Sequence, residues 1–387
     1  MSQRMVTRDQ AAGCPVHQDP DGVWRVHSYA AVREVLRSTQ TRQRGFGADN
    51  ARRAFGSRMR PSVLFRDGPE HREHRRQTAR YFTPRRVQTS YRELMHRYAE
   101  QQLARLRRGP ADLSDLTFRL AVAVAGDVIG LSPGRRGMAR RLELFFTEHR
   151  LGSDRFAPIR RRVLQIAIIG SFYLFDVRPA IRARRRRRRD DLISHLLDEG
   201  CTSAEILGEC VTFGAAGMMT TREFITVAAW HLFTDDALRA AYLGGDQAGR
   251  IALLHEILRL EPVVGTLARW TTAQVAVPDG AGTVTIPSGA PVELAISDAN
   301  LDQTTVGATP TQVCPGRPLP DGVGEAGLSF GDGPHRCPGA HIAIQETDIF
   351  LTKLFALPGI RMVSEPSTRL RTDTQSYELK GLVVATG

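Results

Sequence analysis

Phe330-Gly331-Asp332-Gly333-Pro334-His335-Arg336-Cys337-Pro338-Gly339 stands near the end of the chain, and AHIAIQETDIFLTKLF follows it with apolar residues at helical spacing. Glycines around the cysteine let the backbone approach a flat partner closely and adopt positive φ where a turn needs it. A helix beginning just past Cys337 aims its first N–H groups and the positive end of its dipole at the sulfur, which favours the thiolate. A thiolate that ligates heme iron must be held at one fixed point beside a flat macrocycle, and His335 is placed to donate to a carboxylate on its rim. The alternative for the same residues is a glycine-rich turn around an inert buried thiol.

The chain has 387 residues, 42% of them hydrophobic, as in a globular protein able to bury a substantial core. Its five cysteines, at 14, 201, 210, 314 and 337, form no C-x-x-C pair and are odd in number. A disulfide framework and a zinc ribbon are both poor fits. The net charge of +12 raises nucleic acid, acidic lipid or an acidic protein as partners. Lys353 and Lys380 are the only lysines, however, so the excess is arginine and reads as GC-rich codon usage. Six consecutive arginines, Arg184 to Arg189, read as a solvated helix end in preference to an anion-binding patch, and give no ground for nucleic-acid binding. The N-terminus lacks the apolar core of a secretory signal, and the longest apolar run, Ile166 to Phe175, is short and broken by Gly170 and Ser171. The expectation is a cytoplasmic protein without a membrane anchor.

Helical periodicity dominates the first two thirds: SYRELMHRYAEQQLARLRR from Ser90, DLSDLTFRLAVAVAGDVIG from Asp112, and a long segment from about Ser203 to Phe233. Thr202 and Glu205 are spaced as a capping box for the last of these. Short β-rich runs between Pro/Gly turns come later, in RWTTAQVAVPDG, GTVTIPSG, APVELAI and the terminal YELKGLVVATG. No repeat and no long linker appears. These signs predict a mainly α protein with a small β portion, as one domain over 21–387 behind an N-terminal extension, 1–20.

The cysteine segment matches every fixed position of F-G-x-G-x-H-x-C-x-G, the heme-binding loop of the cytochrome P-450 superfamily, which the chain resembles over residues 20 to 385. Glu256 and Arg259 resemble the family's E-x-x-R pair, where i and i+3 share a helical face. Arg269 in LARWTT resembles the arginine that grips a heme propionate. His71 and Arg75 in DGPEHREHRRQTARYF resemble the family's propionate-binding pair. The resemblance therefore implies a b-type heme (iron protoporphyrin IX) with Cys337 as iron ligand, Phe330, Gly331, Pro338 and Gly339 shaping the loop, and His71, Arg75, Arg269 and His335 on the propionates.

Ala216-Gly217-Met218-Met219-Thr220-Thr221 resembles the oxygen-side helix motif A-G-x-(D/E)-T-(T/S). The small pair Ala216-Gly217 implies local widening, and Thr220 takes the threonine position. Met219 stands where the family has an acid and cannot relay a proton. Arg222 and Glu223 lie a full turn further along, as a structural or surface pair. Either water fills the acid's place, or the chemistry does not require it. Pro338 is a second departure. It removes an N–H donor from the sulfur's neighbourhood, leaving it more electron-rich, or it simply opens the next helix.

By resemblance, the protein oxidises a small organic substrate, a natural-product intermediate, as a monooxygenase. Electrons would come from a ferredoxin and a ferredoxin reductase, since the chain has no room for a fused reductase. The alternatives are coupling, cyclisation or nitrogen transfer without oxygen insertion, and a non-catalytic heme sensor. Arg72, Arg76 and Arg80 recur every four residues and are expected to form one helical stripe for an acidic ferredoxin. Substrate contacts are expected from about Arg42 to Phe65, Phe145 to Phe175, the oxygen-side helix, Val263 to Leu267 and the turn near Ser376.

Overall fold

The computed structural model of the protein describes residues 4–6, 14–45, 60–131, 137–146, 157–280, 282–371 and 376–387. The expected contact stretches around 46–59 and 147–156 lie outside them.

The longer helices are α1 (Tyr29–Arg37), α2 (Gly68–Thr78), α3 (Arg92–Leu103), α4 (Leu113–Ile129), α5 (Met138–Phe146), α6 (Ala157–Phe172), α7 (Arg178–Arg186), α8 (Leu192–Asp198), α9 (Ser203–Gly214), α10 (Thr220–Thr234), α11 (Asp236–Gly244), α12 (Gln247–Leu260) and α13 (Ala340–Phe355). The strands are β1 (Val16–Gln18), β2 (Trp24–Val26), β3 (Thr41–Arg44), β4 (Ala111–Asp112), β5 (Thr266–Thr271), β6 (Val275–Asp279), β7 (Gly282–Ile286), β8 (Pro291–Ala295), β9 (Arg361–Ser364), β10 (Ser367–Arg371), β11 (Ser376–Lys380) and β12 (Val383–Ala385). The expected mainly α architecture with a small β portion is what forms.

Helix α4 is apolar on nearly every face and therefore sits between two cores. Leu116, Leu120 and Val124 face the larger one, with Met95 of α3, Phe224 and Ile225 of α10, Leu254 of α12 and Phe350 of α13. Phe118 and Ile129 face a second core with Ile181 of α7, Leu192 of α8 and Ile206 of α9. The third core packs Val32 and Val35 of α1 on Val26, Val292 and Leu294 of a five-stranded sheet ordered β1-β2-β8-β5-β3. Only β2 and β8 run parallel there; the other pairs are antiparallel. The remaining strands form the hairpin β6-β7, the pair β10-β11 and the sheet β4-β12-β9.

The boundary drawn at residue 20 falls in the turn joining β1 to β2, and Val6 is fully buried in the largest core. The backbone N–H groups of Met5 and Val6 donate to Glu261. The predicted capping box forms: Thr202 N donates to Glu205 Oε2 at 2.8 Å and Glu205 N to Thr202 Oγ1 at 3.3 Å. The segment from Ser203 is not one regular helix, because a π turn, Ala215–Met219, separates α9 from α10.

Two other expectations change, and one open alternative is decided. The arginine run closes α7 as expected, but Arg184 is buried, pairs with Asp191 and donates to Gly130 O at 3.0 Å. Arg222 and Glu223 are a structural pair and not a surface one: both are buried, and Glu223 Oε2 accepts from Leu379 N at 2.9 Å. Residues 162–186 form a helical stretch long and apolar enough to span a membrane by length and composition, although the sequence reading found no such window. That stretch holds a π turn at Tyr173–Val177 in which buried Asp176 pairs with Arg141 at 2.7 Å, so an ion pair ties it to α5.

Candidate functional site

Three chain regions converge on Cys337. The loop carrying it is docked against α1: Asp332 accepts from Arg33 at 3.2 Å and from Arg37 at 2.9 Å. Gly333, at φ +64°, lies so close to α1 that a Cβ there would meet Leu36 O at 2.5 Å. Gly331 also has positive φ, +66°, so both turns depend on glycine. Phe330 rests against the largest core, and its carbonyl accepts the Cys337 N–H at 2.8 Å, which closes the loop.

Helix α13 starts at Ala340 with Gly339 as its N-cap, so Pro338 precedes the helix instead of occupying its first turn. The backbone N–H groups of Gly339 and Ala340 are directed at the Cys337 sulfur, and a Cβ on Gly339 would sit 3.9 Å from it. Burial raises the thiol's pKa; the Gly339 N–H, the Arg75 and Arg336 guanidinium groups and the Ala340 N–H act against that rise. The residue is deeply surrounded by protein, yet its surface is exposed.

Beside it stands a basic cluster. His71 of α2 and His335 of the loop stack with ring centroids 4.0 Å apart, and His335 Nε2 lies 3.1 Å from Asp67 Oδ1. Burial, with His335 and Arg75 next, pushes the His71 pKa down to about 3, and burial chiefly lowers that of His335. Arg75 donates to Arg336 O at 2.5 Å. Arg269 of β5 is 3% exposed, donates to Gln43 Oε1 of β3 at 2.5 Å and is pushed by burial down to about 10, with Asp67 opposing. His335, His71 and Arg269 thus lie around one carboxylate, Asp67, while Arg75 acts on His335 and on Cys337. The two guanidinium groups, with the histidines as further hydrogen-bond partners, suit the two carboxylates of a heme.

The π turn holds Ala216, Gly217 and Met219 in one widened stretch packed on α4, and Thr220 opens α10 directly after it. Thr220 Oγ1 donates to Ala216 O at 2.5 Å. Met218 is fully buried in the second core and Met219 rests against it, whereas Ala216 is exposed although the turn lies against α4. Cys337 and Ala216 both present exposed surface, and the donors around Cys337 suit a carboxylate-bearing macrocycle. The residues present fit a heme.

Glu256 and Arg259 form a buried two-pronged pair, at 2.7 and 3.0 Å, within a larger arrangement. Arg317 joins Glu256 at 3.2 Å, Cys314 N donates to Glu256 Oε2 at 2.9 Å, and Arg259 holds the carbonyls of Asn300 and Pro310, each at 2.9 Å. Severing such a buried pair typically costs about 3–5 kcal/mol. Sequence reasoning missed Arg317, whose partner is 61 residues away, and Asp67. The latter reads as an ordinary N-cap of α2, but its side chain makes no capping bond and faces His335 instead.

The predicted arginine stripe is corrected. Helix α2 ends at Thr78, so Arg72 and Arg76 lie on it while Arg80 lies on the following 3₁₀ turn, donating to Tyr81 Oη at 2.7 Å.

The family model "Cytochrome P450" matches residues 251–357. The chain is 30% identical over 368 residues to an erythromycin C-12 hydroxylase of Saccharopolyspora erythraea, covering 92% of this chain and 87% of that protein. It is 29% identical to the cyclomarin C epoxidase CymV of Salinispora arenicola, covering 90% and 87%. Among solved structures, CYP109E1 from Bacillus megaterium in complex with corticosterone superposes with a TM-score of 0.78 at 22% identity, covering 96% of this chain and 95% of that one. A mutant of P450 EryK in complex with erythromycin B superposes at 0.74 with 26% identity, covering 96% and 93%. Likeness to the erythromycin hydroxylase over nearly the full length of both chains establishes that this chain belongs to the cytochrome P450 family, as an oxidising enzyme of the monooxygenase type.

Proposed function

We propose that the protein is a heme-thiolate monooxygenase that hydroxylates or epoxidises a natural-product intermediate, with Cys337 as the iron ligand of a b-type heme. The observation that carries this is Cys337, held at the start of α13 by a loop closed on the Phe330 carbonyl, with two backbone N–H groups and Arg75 acting on its sulfur and the stacked His71 and His335 nearby. Bound there, a heme supplies the activation of dioxygen. Cys337 contributes negative charge held by Gly339 N, Ala340 N and Arg75; His71, Arg75, Arg269 and His335 bind and orient the macrocycle's carboxylates. Thr220 presents a hydroxyl oxygen at the widened turn while its proton engages Ala216 O. The relatives' names, a macrolide hydroxylase and an epoxidase of cyclomarin, support the substrate class. Electrons would come from a ferredoxin and its reductase, in the cytoplasm.

The test is the reduced carbon monoxide complex of purified protein. We expect one heme per chain and the long-wavelength Soret band of thiolate ligation. Cys337→Ser or Cys337→His should give an ordinary heme spectrum, and persistence of the thiolate band in Cys337→Ala would overturn the reading.

One observation favours a second reading. Met219 occupies the acid's position and leans on the second core, so this turn has no side chain of its own that relays a proton. Such a site suits bond formation or nitrogen transfer without oxygen insertion. A product heavier by one oxygen atom decides for the first reading, and a product without it for the second.

A further inference from the structure

Glu209 of α9 is 2% exposed and faces the segment 60–66 that leads into α2. Its Oε1 accepts from Val63 N at 3.0 Å and from Arg66 Nη2 at 3.4 Å, and His74 Nε2 of α2 lies 3.8 Å away. Its Oε2 is buried with no hydrogen-bond partner; so are His74 Nε2 and, on α8, His195 Nε2. The same helix holds the same segment twice more, where Glu205 Oε1 accepts from Arg60 N at 3.0 Å and Thr212 Oγ1 donates to Ser62 Oγ at 2.7 Å. Three consecutive turns of α9 therefore clamp one short stretch of chain.

We propose that Glu209 is a positioning residue for the substrate-contacting segment, clamping residues 60–66 to α9 more tightly when its carboxyl group carries a proton. The assignment of 60–66 to substrate contact rests on the function proposed above; the clamp itself does not. An ionised carboxylate with one oxygen unpartnered in the interior loses hydration that opening of the segment restores. Among the described residues Arg66 is the cation that acts on it, favouring the ionised form as the Val63 N–H does, whereas Glu205 on the same helix favours the neutral one. His74 adds no charge near neutrality, because burial and then Arg66 push it down to about 4; burial likewise lowers His195. The neighbouring Cys201 and Cys210 thiols are pushed up by burial and stay neutral.

Burial wins at Glu209, lifting its carboxyl to about 7. The clamped form thus holds its proton up to a higher pH than the opened, hydrated form. Opening releases that proton and grows easier as pH rises from about 4.5 to about 7, levelling off above.

Hydrogen exchange on the heme-loaded full chain tests this through the Val63, Phe65 and Arg66 amides, corrected for intrinsic base catalysis. The local opening constant should rise about tenfold or more between pH 5 and pH 8. Glu209→Gln, which keeps an acceptor for Val63 N and cannot ionise, should flatten the profile, while Glu209→Asp should restore a slope. If Glu209→Gln does not fold, Arg66→Gln serves instead: without that cation the carboxyl holds its proton longer, and the midpoint should move to higher pH. A pH-independent wild type, or an unchanged slope in Glu209→Gln, would overturn the proposal. The Soret band of the same samples reports separately on thiolate ligation, so failure of one reading leaves the other intact.

Discussion

Pro338 removes one N–H from the approach to the Cys337 sulfur, yet the next two residues turn theirs toward it, so the thiolate keeps two backbone donors and the nearby Arg75. The loss is partial and the sulfur is not bare. On the opposite side, Met219 replaces an acid and packs on the second core while Thr220 spends its proton on Ala216 O. Restoring the acid with Met219→Glu separates the two functional readings at this residue. A hydroxylase supplied by water should couple electron consumption to product as well as before or better, whereas an enzyme that inserts no oxygen should lose or redirect its product. The measurement is product formed per reducing equivalent with the native substrate. Residues whose spacing is local, such as Cys337, His335 and the pair His71 and Arg75, were legible in the sequence because each sits in a short fixed pattern. Asp67 and Arg317 were not, since the first mimics a cap and the second meets Glu256 only after the chain has folded back.

Long amphipathic and all-apolar helices read well, and α3, α4 and α13 lie close to where periodicity puts them, because their apolar spacing is sustained over several turns. Strands of three residues, such as β1 and β2, left no period to detect. A π turn has no pattern of its own, and widening at Ala215–Met219 came only from the resemblance. The end of α2 was missed for the same reason, and it alters what the arginines can do. Arg72 and Arg76 share a helix, with Arg76 held by Glu73 at 2.7 Å, while Arg80 turns onto the Tyr81 ring. Reversing Arg72 and Arg76 to Glu should slow reduction by an acidic ferredoxin, most strongly at low salt, because exposed charges are screened over about 10 Å at 0.1 M. Arg80→Glu should have the smaller effect. Stopped-flow reduction rates across a salt series check this, and rates unchanged from the wild type in all three variants at low salt would exclude this surface as the docking site.

Across the whole molecule, excess positive charge on the surface is ordinary, but basic side chains from α2, β5 and the cysteine loop meet near Asp67 at the entry to α2, and Arg269 among them is buried. Burial holds the Arg269 pKa down to about 10, so its charged form is costly in the folded chain until an anion meets it. A base with a lowered pKa favours folding less while it stays charged, and a carboxylate beside it reverses that sign. Binding a group that only the folded chain recognises stabilises by about 2.7 kcal/mol at a hundredfold excess over Kd, so heme removal should lower the melting temperature of the wild type. Arg269→Met separates the two contributions. In the heme-free protein it removes a poorly compensated buried charge, at the loss of the bond to Gln43, and should leave the melting temperature unchanged or raise it. In the heme-loaded protein it should lower the melting temperature and speed heme loss, because a carboxylate then loses its partner. Thermal denaturation of both forms of both proteins gives the four numbers needed. An equal fall in both forms would mean that Arg269 only ties β5 to β3, and its place among the carboxylate-binding residues would have to be given up.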